Sequence, residues 1–332
     1  MKWFGDFLVL NDLKSFRDII FHMSVTLAMD IGGTHMRAAV FPRNKTKPSH
    51  QIRIRTRVKD ETPLQRLLKL IHEVTPEGET IESVGIAIPG LFDPYEGIII
   101  TAPNIPEWAG VPITGMIQDE IGAPTYMGND ANLAALGEWG FGAGKGHHDL
   151  IYLTVSTGIG GGIISNDQLL VGHRGLGAEL GHVTILPDGP LCSCGKRGHI
   201  EGISSGTGIA NYVVEQIKSG RSSILEGETD AKAISIAALE GDPLANEAFE
   251  RAGLYLGIMI ANYLAIFNPS IIIIGGGVSQ TGELLLAPTR KSVENSVFSQ
   301  RYLQDLTITS AALGDDAGLY GAFLLADNSP DK

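Results

Sequence analysis

Two cysteines, two histidines and two glutamates crowd into one short stretch of this 332-residue chain. Cys192 and Cys194 are the only cysteines in the sequence and stand one residue apart, flanked by His182 and His199, with Glu179 and Glu201 just outside them. Thiolate sulfur and imidazole nitrogen are the donors that tetrahedral zinc prefers, and four of them close a structural site. A disulfide across one intervening residue would close a small, strained ring. An ordinary loop with two stray thiols is the competing account, and it leaves the suitably spaced histidines to coincidence. The stretch 179–201 therefore reads as a loop stapled by Zn²⁺ through His182, Cys192, Cys194 and His199. Such a loop would hold Glu179 and Glu201 rigidly. Fixed carboxylates suit a polyhydroxylated ligand, because each accepts hydrogen bonds from hydroxyl groups.

A second kind of chemistry lies in the glycines. The apolar run Val25 to Met29 leads into Asp30-Ile31-Gly32-Gly33-Thr34 and then a second run, Ala38 to Phe41. A plain hairpin would explain the glycines alone. Backbone amides of such a turn can also cradle phosphate, and an acid at the strand end can hold the water shell of Mg²⁺. The arrangement recurs: Leu150 to Val155 leads into Ser156-Thr157-Gly158-Ile159-Gly160-Gly161-Gly162, then Ile163 and Ile164. Two hairpins of one design imply a duplicated architecture with a nucleotide between its halves. A third cluster, Gly275-Gly276-Gly277, follows the run Ile271 to Ile274, where a strand end would meet an adenine or ribose. There is no Walker A motif, so the chain is not a P-loop enzyme.

Glu179-Leu180-Gly181-His182, followed by Cys-x-Cys-Gly-x-x-Gly-x-x-Glu, resembles the signature of the ROK family of sugar kinases and sugar-responsive repressors. Where the family generally has a third cysteine this chain has His199, itself a competent ligand. The three glycine-rich turns are similar to the two phosphate motifs and the adenosine motif of the actin-like, hexokinase-type ATPase fold. The resemblance runs from Met23 almost to the C-terminus. It implies an α/β chain of two lobes with duplicated β-sheet cores around a central cleft. The small lobe would take 24–130 with about 315–327, the large lobe 131–314 with the zinc loop, and 1–23 would be an N-terminal extension of unknown role.

Residue roles follow from the same resemblance. As a bare tetrapeptide, Asn129-Asp130-Ala131-Asn132 reads as a helix cap in which Asp130 or Asn132 satisfies free amides. Its place between the two glycine-rich halves makes Asp130 the expected catalytic base and Asn129 a sugar-binding neighbour. Gly90 and Asn104 match positions lining the sugar pocket, and Glu179, His182 and Glu201 would read hydroxyls. Asp30 would orient Mg²⁺ through water. Gly32, Gly33, Thr34, Thr157, Gly158 and Gly160 would serve the phosphates of ATP, with Gly276 and Gly277 at its nucleoside. The implied activity is ATP-dependent phosphorylation of a hexose, D-glucose at O6 first. N-acetylhexosamine or fructose kinases, and more remotely a sugar-sensing regulator, are the alternatives. A homodimer or homotetramer is implied as well.

Composition bounds the rest. With 43% hydrophobic and 19% charged residues the chain reads as globular. A net charge of −12 argues against a general nucleic-acid or anionic-membrane surface. Cysteines with a metal to bind point to a reducing compartment, the cytoplasm. The longest apolar stretch, Leu254 to Phe267, has the length of a buried helix and not of a membrane span. The residues ahead of Val25 are too few and too apolar for a DNA-binding helix-turn-helix, and read as a short appended helix or a mis-assigned start. Strands are expected over Arg53 to Val58 and Ser83 to Ile88, the latter ending at Pro89-Gly90. Helices are expected over Pro63 to His72, Leu133 to Glu138, Ser205 to Ile217, Asp230 to Leu239 and Pro243 to Phe267. A C-terminal helix begins near Asp315, and a disordered tail follows Asp327.

Overall fold

Strand β1 (Ser24–Ile31) alternates large and small side chains, Leu27 and Met29 on one face and Ala28 on the other, and this sets how the first half packs. The computed structural model describes residues 24–102, 104–227 and 229–327, so the expectations for 1–23 and for the tail lie outside the described residues. β1 pairs antiparallel with β2 (His35–Pro42), and β2 with β3 (His50–Arg55). On its other side β1 runs parallel to β4 (Thr80–Ile88), and β4 to β7 (Thr125–Asn129). β5 (Leu91–Asp93) and β6 (Ile98–Thr101) form a separate hairpin.

The second sheet repeats the first. β8 (Leu150–Val155), β9 (Ile159–Ser165) and β10 (Gln168–Leu169) make its antiparallel side, and β11 (Ile271–Gly275) and β12 (Thr307–Ser310) extend it in parallel. The duplication is present strand for strand. Helices α1 (Pro63–Val74) and α2 (Ile113–Ile121) cover the outer face of the first sheet, where Leu67, Leu70 and Ile117 meet Leu27, Met29 and Ile86. The outer face of the second carries α4 (Glu201–Ser204), α5 (Gly206–Lys218), α6 (Ala231–Leu239), α7 (Pro243–Phe267) and α8 (Glu283–Ser296). Asp242 caps α7, Pro243 opens it, and Asn268 in the left-handed region closes it, so its ends match expectation to the residue.

Helices α3 (Asp130–Phe141) and α9 (Ala317–Asp327) lie between the sheets in a third core shared by both. The first sheet offers them small residues: Ala28, Ala39, Ala87, and Gly85, where a Cβ would come within 1.9 Å of the Ala322 carbonyl oxygen. The helices cross backbone to backbone. A Cβ on Gly137 would sit 2.1 Å from the Ala317 oxygen, and one on Gly321 1.8 Å from the Leu133 oxygen. Phe323 of α9 stacks on Phe41 of β2 at 4.2 Å between centroids. Glu138, wholly buried, accepts hydrogen bonds from the amides of Ala143 (2.8 Å), Ala312 (3.1 Å) and Leu313 (2.7 Å). It ties the far end of α3 to the segment that feeds α9.

Several boundaries differ from the sequence reading, α3 for one running from Asp130 to Phe141 and not only from Leu133 to Glu138, and three bear on the site. β3 ends at Arg55 because Thr56 turns inward, donating its amide to the Thr34 oxygen (2.9 Å) and its hydroxyl to the Gly32 oxygen (2.6 Å). Gly160, Gly161 and Gly162 belong to β9 and not to its turn. Gly160 and Gly162 let α3 approach, for a Cβ on Gly162 would meet that of Ala135 at 2.6 Å, while Gly161 faces Leu180. Asp315 and Asp316 form a 3₁₀ turn, and the last helix begins at Ala317. Among the described residues no helix is long and apolar enough to cross a membrane.

The crossing predicts a contrast between two glycines. Gly321→Ala should cost about 1–3 kcal/mol, because the backbone oxygen of Leu133 has nowhere to go. Gly115→Ala in α2, where a Cβ meets nothing within 4 Å, should instead add about 0.5–1 kcal/mol. Thermal denaturation of both variants against the parent checks this; equal midpoints would refute the close-approach account.

Candidate active site

Strand β7 delivers Asn129 and Asp130 to the junction of the sheets. Asn129 is the cap of α3: its Oδ1 accepts from the amides of Ala131 (3.0 Å) and Asn132 (3.2 Å), and its Nδ2 donates to the Gly90 oxygen (3.4 Å). The capping role thus belongs to Asn129, and not to Asp130 or Asn132, because β7 must end extended before the first helical residue. Asp130 is left at the first helical position with one bond to the Ala131 amide (2.8 Å). Burial pushes its carboxyl up to about 6. The charges of Asp30 and Glu179 push the same way, and the Ala131 amide resists. Three carboxylates therefore share one space, and the middle one titrates within reach of neutral pH.

Asp30 ends the straight part of β1 and is paired with Arg37, its direct partner across the hairpin. Burial still holds it above the ordinary carboxylate value against the pull of that guanidinium. The turn that follows is pinned by the Thr56 bonds and by Gly32, whose amide donates to the His35 oxygen at 2.8 Å. Gly33 carries no Cβ for a reason of space: one there would meet the Cβ of Asn104 at 2.6 Å. The first glycine-rich turn and the expected sugar-side asparagine are thus in contact.

The second turn, Ser156 to Gly158, closes with the Ser156 amide on the Gly158 oxygen (2.8 Å). The start of α5 docks on it, the Gly206 amide reaching the Ser156 oxygen at 2.7 Å, while Ser205 caps the helix. The turn, the first residues of α5, and Gly277 and Val278 line one cavity of about 800 Å³ with Asn211 and Lys232. Gly276, at φ +85°, lies against the end of β8, where a Cβ would be 2.4 Å from the Val155 oxygen. Phosphates laid on this turn would face the positive end of the α5 dipole.

The fold draws the four spaced side chains of the loop together. One donor atom each from His182, Cys192, Cys194 and His199 lies within 4.8 Å of the others, a set that could hold a metal ion. Cys192 Sγ is 3.4 Å from His182 Nδ1, and Cys194 Sγ 3.3 Å from His199 Nδ1. Burial, with the Glu201 carboxylate nearby, pushes the Cys192 thiol up to about 12. Glu201 joins the loop to the second turn, accepting from Ser193 (2.5 Å), Cys192 (3.1 Å) and the Ile159 amide (3.1 Å), against Gly158, where a Cβ would meet it at 2.5 Å. Glu179 is exposed and follows Ala178, a non-glycine residue at φ +63°. The buried Tyr263 hydroxyl fixes the next residue through the Leu180 oxygen at 2.8 Å.

The contacts join Asn129 to Gly90, Gly33 to Asn104 and Glu201 to the Gly158 turn, and set Gly277 beside Thr157 on the wall of the cavity; this is the candidate set. Gly160 enters it through helix packing, its nearest neighbour being the Cβ of Ala131. Arg37, Thr56 and the start of α5 were not singled out in the sequence. Only Arg37 left a local sign, as a cation across a short hairpin from an acid.

Comparison with known proteins gives the arrangement relatives. A ROK family model matches residues 26–329. The glucokinase of Thermotoga maritima is 40% identical over 268 residues, 79% of this chain and 84% of its own. The structure of a ROK family glucokinase from Streptomyces griseus, in complex with glucose and AMPPNP, superposes with a TM-score of 0.75 at 34% identity, covering 92% of this chain and 100% of that one. A ROK family transcriptional regulator, a homologue of the E. coli MLC protein, reaches a TM-score of 0.80 at 28% identity over 91% of this chain and 77% of its own.

Protein purified without a metal-affinity tag should carry about one metal ion per chain, released by chelator with a fall in melting temperature. Cys194→Ser should lose that metal. Elemental analysis that finds no metal in a fully stable preparation would overturn the ligand set.

Proposed function

The chain belongs to the ROK family, and from that premise we infer that it is an ATP-dependent kinase that phosphorylates D-glucose at O6, giving glucose 6-phosphate. The observation that carries this reading is Asp130, held at the start of α3 between Asp30 and Glu179 with its carboxyl pushed up to about 6. A buried carboxyl that titrates near neutral pH is matched to proton transfer, which a purely ligand-sensing site does not require.

Phosphoryl transfer gains most from positioning and charge neutralisation. Asp130 would accept the proton of the attacking hydroxyl. Mg²⁺, when bound with ATP, would neutralise phosphate charge, with Asp30 orienting its water shell. The amides around Gly32, Gly33, Thr34, Thr157 and Gly158 would hold the phosphates, with α5 behind them, and Gly276 and Gly277 would border the nucleoside. On the sugar side Glu179 and His182 would read hydroxyls together with Asn104, and Gly90 with Asn129 would close the wall. Glu201 would do so while also fixing the loop to the Gly158 turn. Zn²⁺ would be structural, since two thiolates and two imidazoles fill a tetrahedron and leave no open position. Thiolate ligands suit a reducing, cytoplasmic setting.

Initial rates with glucose, mannose, fructose, N-acetylglucosamine and N-acetylmannosamine at saturating ATP test the reading. Glucose should show the highest kcat/KM; a preference for an N-acetylated sugar would move the assignment to that class. Asp130→Ala should bind glucose like the parent and lose turnover by about 10²–10⁴-fold. A variant keeping a tenth of parental kcat would remove Asp130 from its role. Because the deprotonated carboxyl is the working form, kcat/KM should fall as pH drops through about 6 and level off above it. A flat profile between pH 5 and 8 would contradict that.

A further inference from the structure

Arg37 belongs to neither the glycine-rich turns nor the metal loop, yet three groups at the floor of the cleft converge on its guanidinium. Its Nη2 bonds the Asp30 carboxylate and the main-chain oxygen of Asp315, and its Nη1 donates to Asp316 Oδ1 at 3.2 Å. The side chain is only 14% exposed. Asp315 and Asp316 form the 3₁₀ turn that opens into α9. Glu138 grips the same segment from the opposite side through the amides of Ala312 and Leu313. Glu138 belongs to α3, the helix that begins with Asp130. Asp30 in turn lies against the start of α9, where a Cβ on Gly318 would be 3.4 Å from its Cγ.

The two acids of the cleft are therefore joined by a continuous mechanical path. It runs from Asp30 through Arg37 to 315–316, along the chain to 312–313, through Glu138 into α3, and so to Asp130. A pair that merely neutralised Asp30 would need one acceptor. Arg37 uses its planar fork to hold three, two of them on a segment 278 and 279 residues away in sequence.

Resting on the kinase reading, we propose that Arg37 is a positioning residue for phosphoryl transfer. It anchors the turn ahead of α9 and holds Asp30 at a set distance from Asp130. Lysine could pair with Asp30 but, as a compact point charge, could not span the same three groups.

The test compares full-length parent, Arg37→Gln, Arg37→Lys and Asp316→Ala, each with its metal content matched. The readouts are kcat, KM for glucose and for ATP, melting temperature, and glucose binding without nucleotide by tryptophan fluorescence. Arg37→Gln should lower kcat by about 10²-fold, the scale of a misplacement near 1 Å, and Arg37→Lys by about tenfold, with glucose binding within about twofold of the parent in both. Asp316→Ala, at a side chain 48% exposed, leaves Asp30 paired and removes only one arm of the fork. It should still lower kcat by about three- to fivefold at unchanged melting temperature, the size of a lost hydrogen bond of ~0.5–1 kcal/mol. The proposal is overturned if Arg37→Gln keeps kcat within about threefold of the parent, a loss too small for misplaced groups. It is equally overturned if glucose binding and melting temperature fall in step with kcat, which is the mark of a structural ion pair. A parent that phosphorylates no sugar overturns the kinase reading and this proposal with it; an active parent with unimpaired Arg37 variants overturns this proposal alone.

Discussion

Everything in this molecule hangs on two helices crossing with their backbones in contact. α3 and α9 can meet as they do only because Gly137 and Gly321 present no side chain at the crossing, where a Cβ would overlap a carbonyl oxygen of the other helix at about half of normal contact distance. Each sheet then packs against the pair, the first through alanine, glycine and Phe41, the second through Tyr152, Ile164, Ile271 and Ile273. A looser crossing would separate the sheets. It would also move both cleft acids, since α3 starts at Asp130 and α9 starts beside Asp30. Interiors are close-packed and transmit such shifts instead of absorbing them.

Electrostatics at the cleft is set by competition, and the outcome for Asp130 shows which effect wins. A carboxylate at a helix start is favoured by the dipole and by the Ala131 amide, each contributing on the order of 1 kcal/mol. Burial and two neighbouring negative charges outweigh them, leaving the group near 6. Asp30 shows the same balance, with burial prevailing over Arg37. A cleft that gathers three acids in a confined space repels its own charge, and is suited to a ligand that brings cations or hydroxyl donors.

The cysteine–histidine loop and the second glycine-rich turn are one unit more than two. Glu201 accepts from the loop on one oxygen and from the start of β9 on the other. Gly181 at the loop's beginning approaches the Ile159 oxygen so closely that a Cβ would lie 1.8 Å from it. Whatever orders the loop therefore also orders the turn at Gly158. Held in place at Leu180 by Tyr263, the residue before it, Glu179, can stand exposed and still be fixed.

What the sequence determined by itself is whatever depends on neighbours in the chain. The two cysteines and two histidines of the loop lie within eighteen residues of one another, so their spacing alone marked them, and the fold brings all four together. The ends of α7 were legible because Asp242, Pro243 and Asn268 act on the nearest turn. The duplicated hairpins were legible because strand, glycine turn and strand are contiguous. Tertiary structure decided the rest. Asn129, Asp130 and Asn132 are all competent caps, and only the direction in which β7 arrives selects Asn129. Gly160 to Gly162 read as a turn until α3 is laid over them. Glu138, and Arg37 beyond its hairpin partner Asp30, looked like ordinary charges because their other partners lie 174 and 279 residues away. A charge that answers a distant segment leaves no periodicity and no local spacing, and only folding brings the two together.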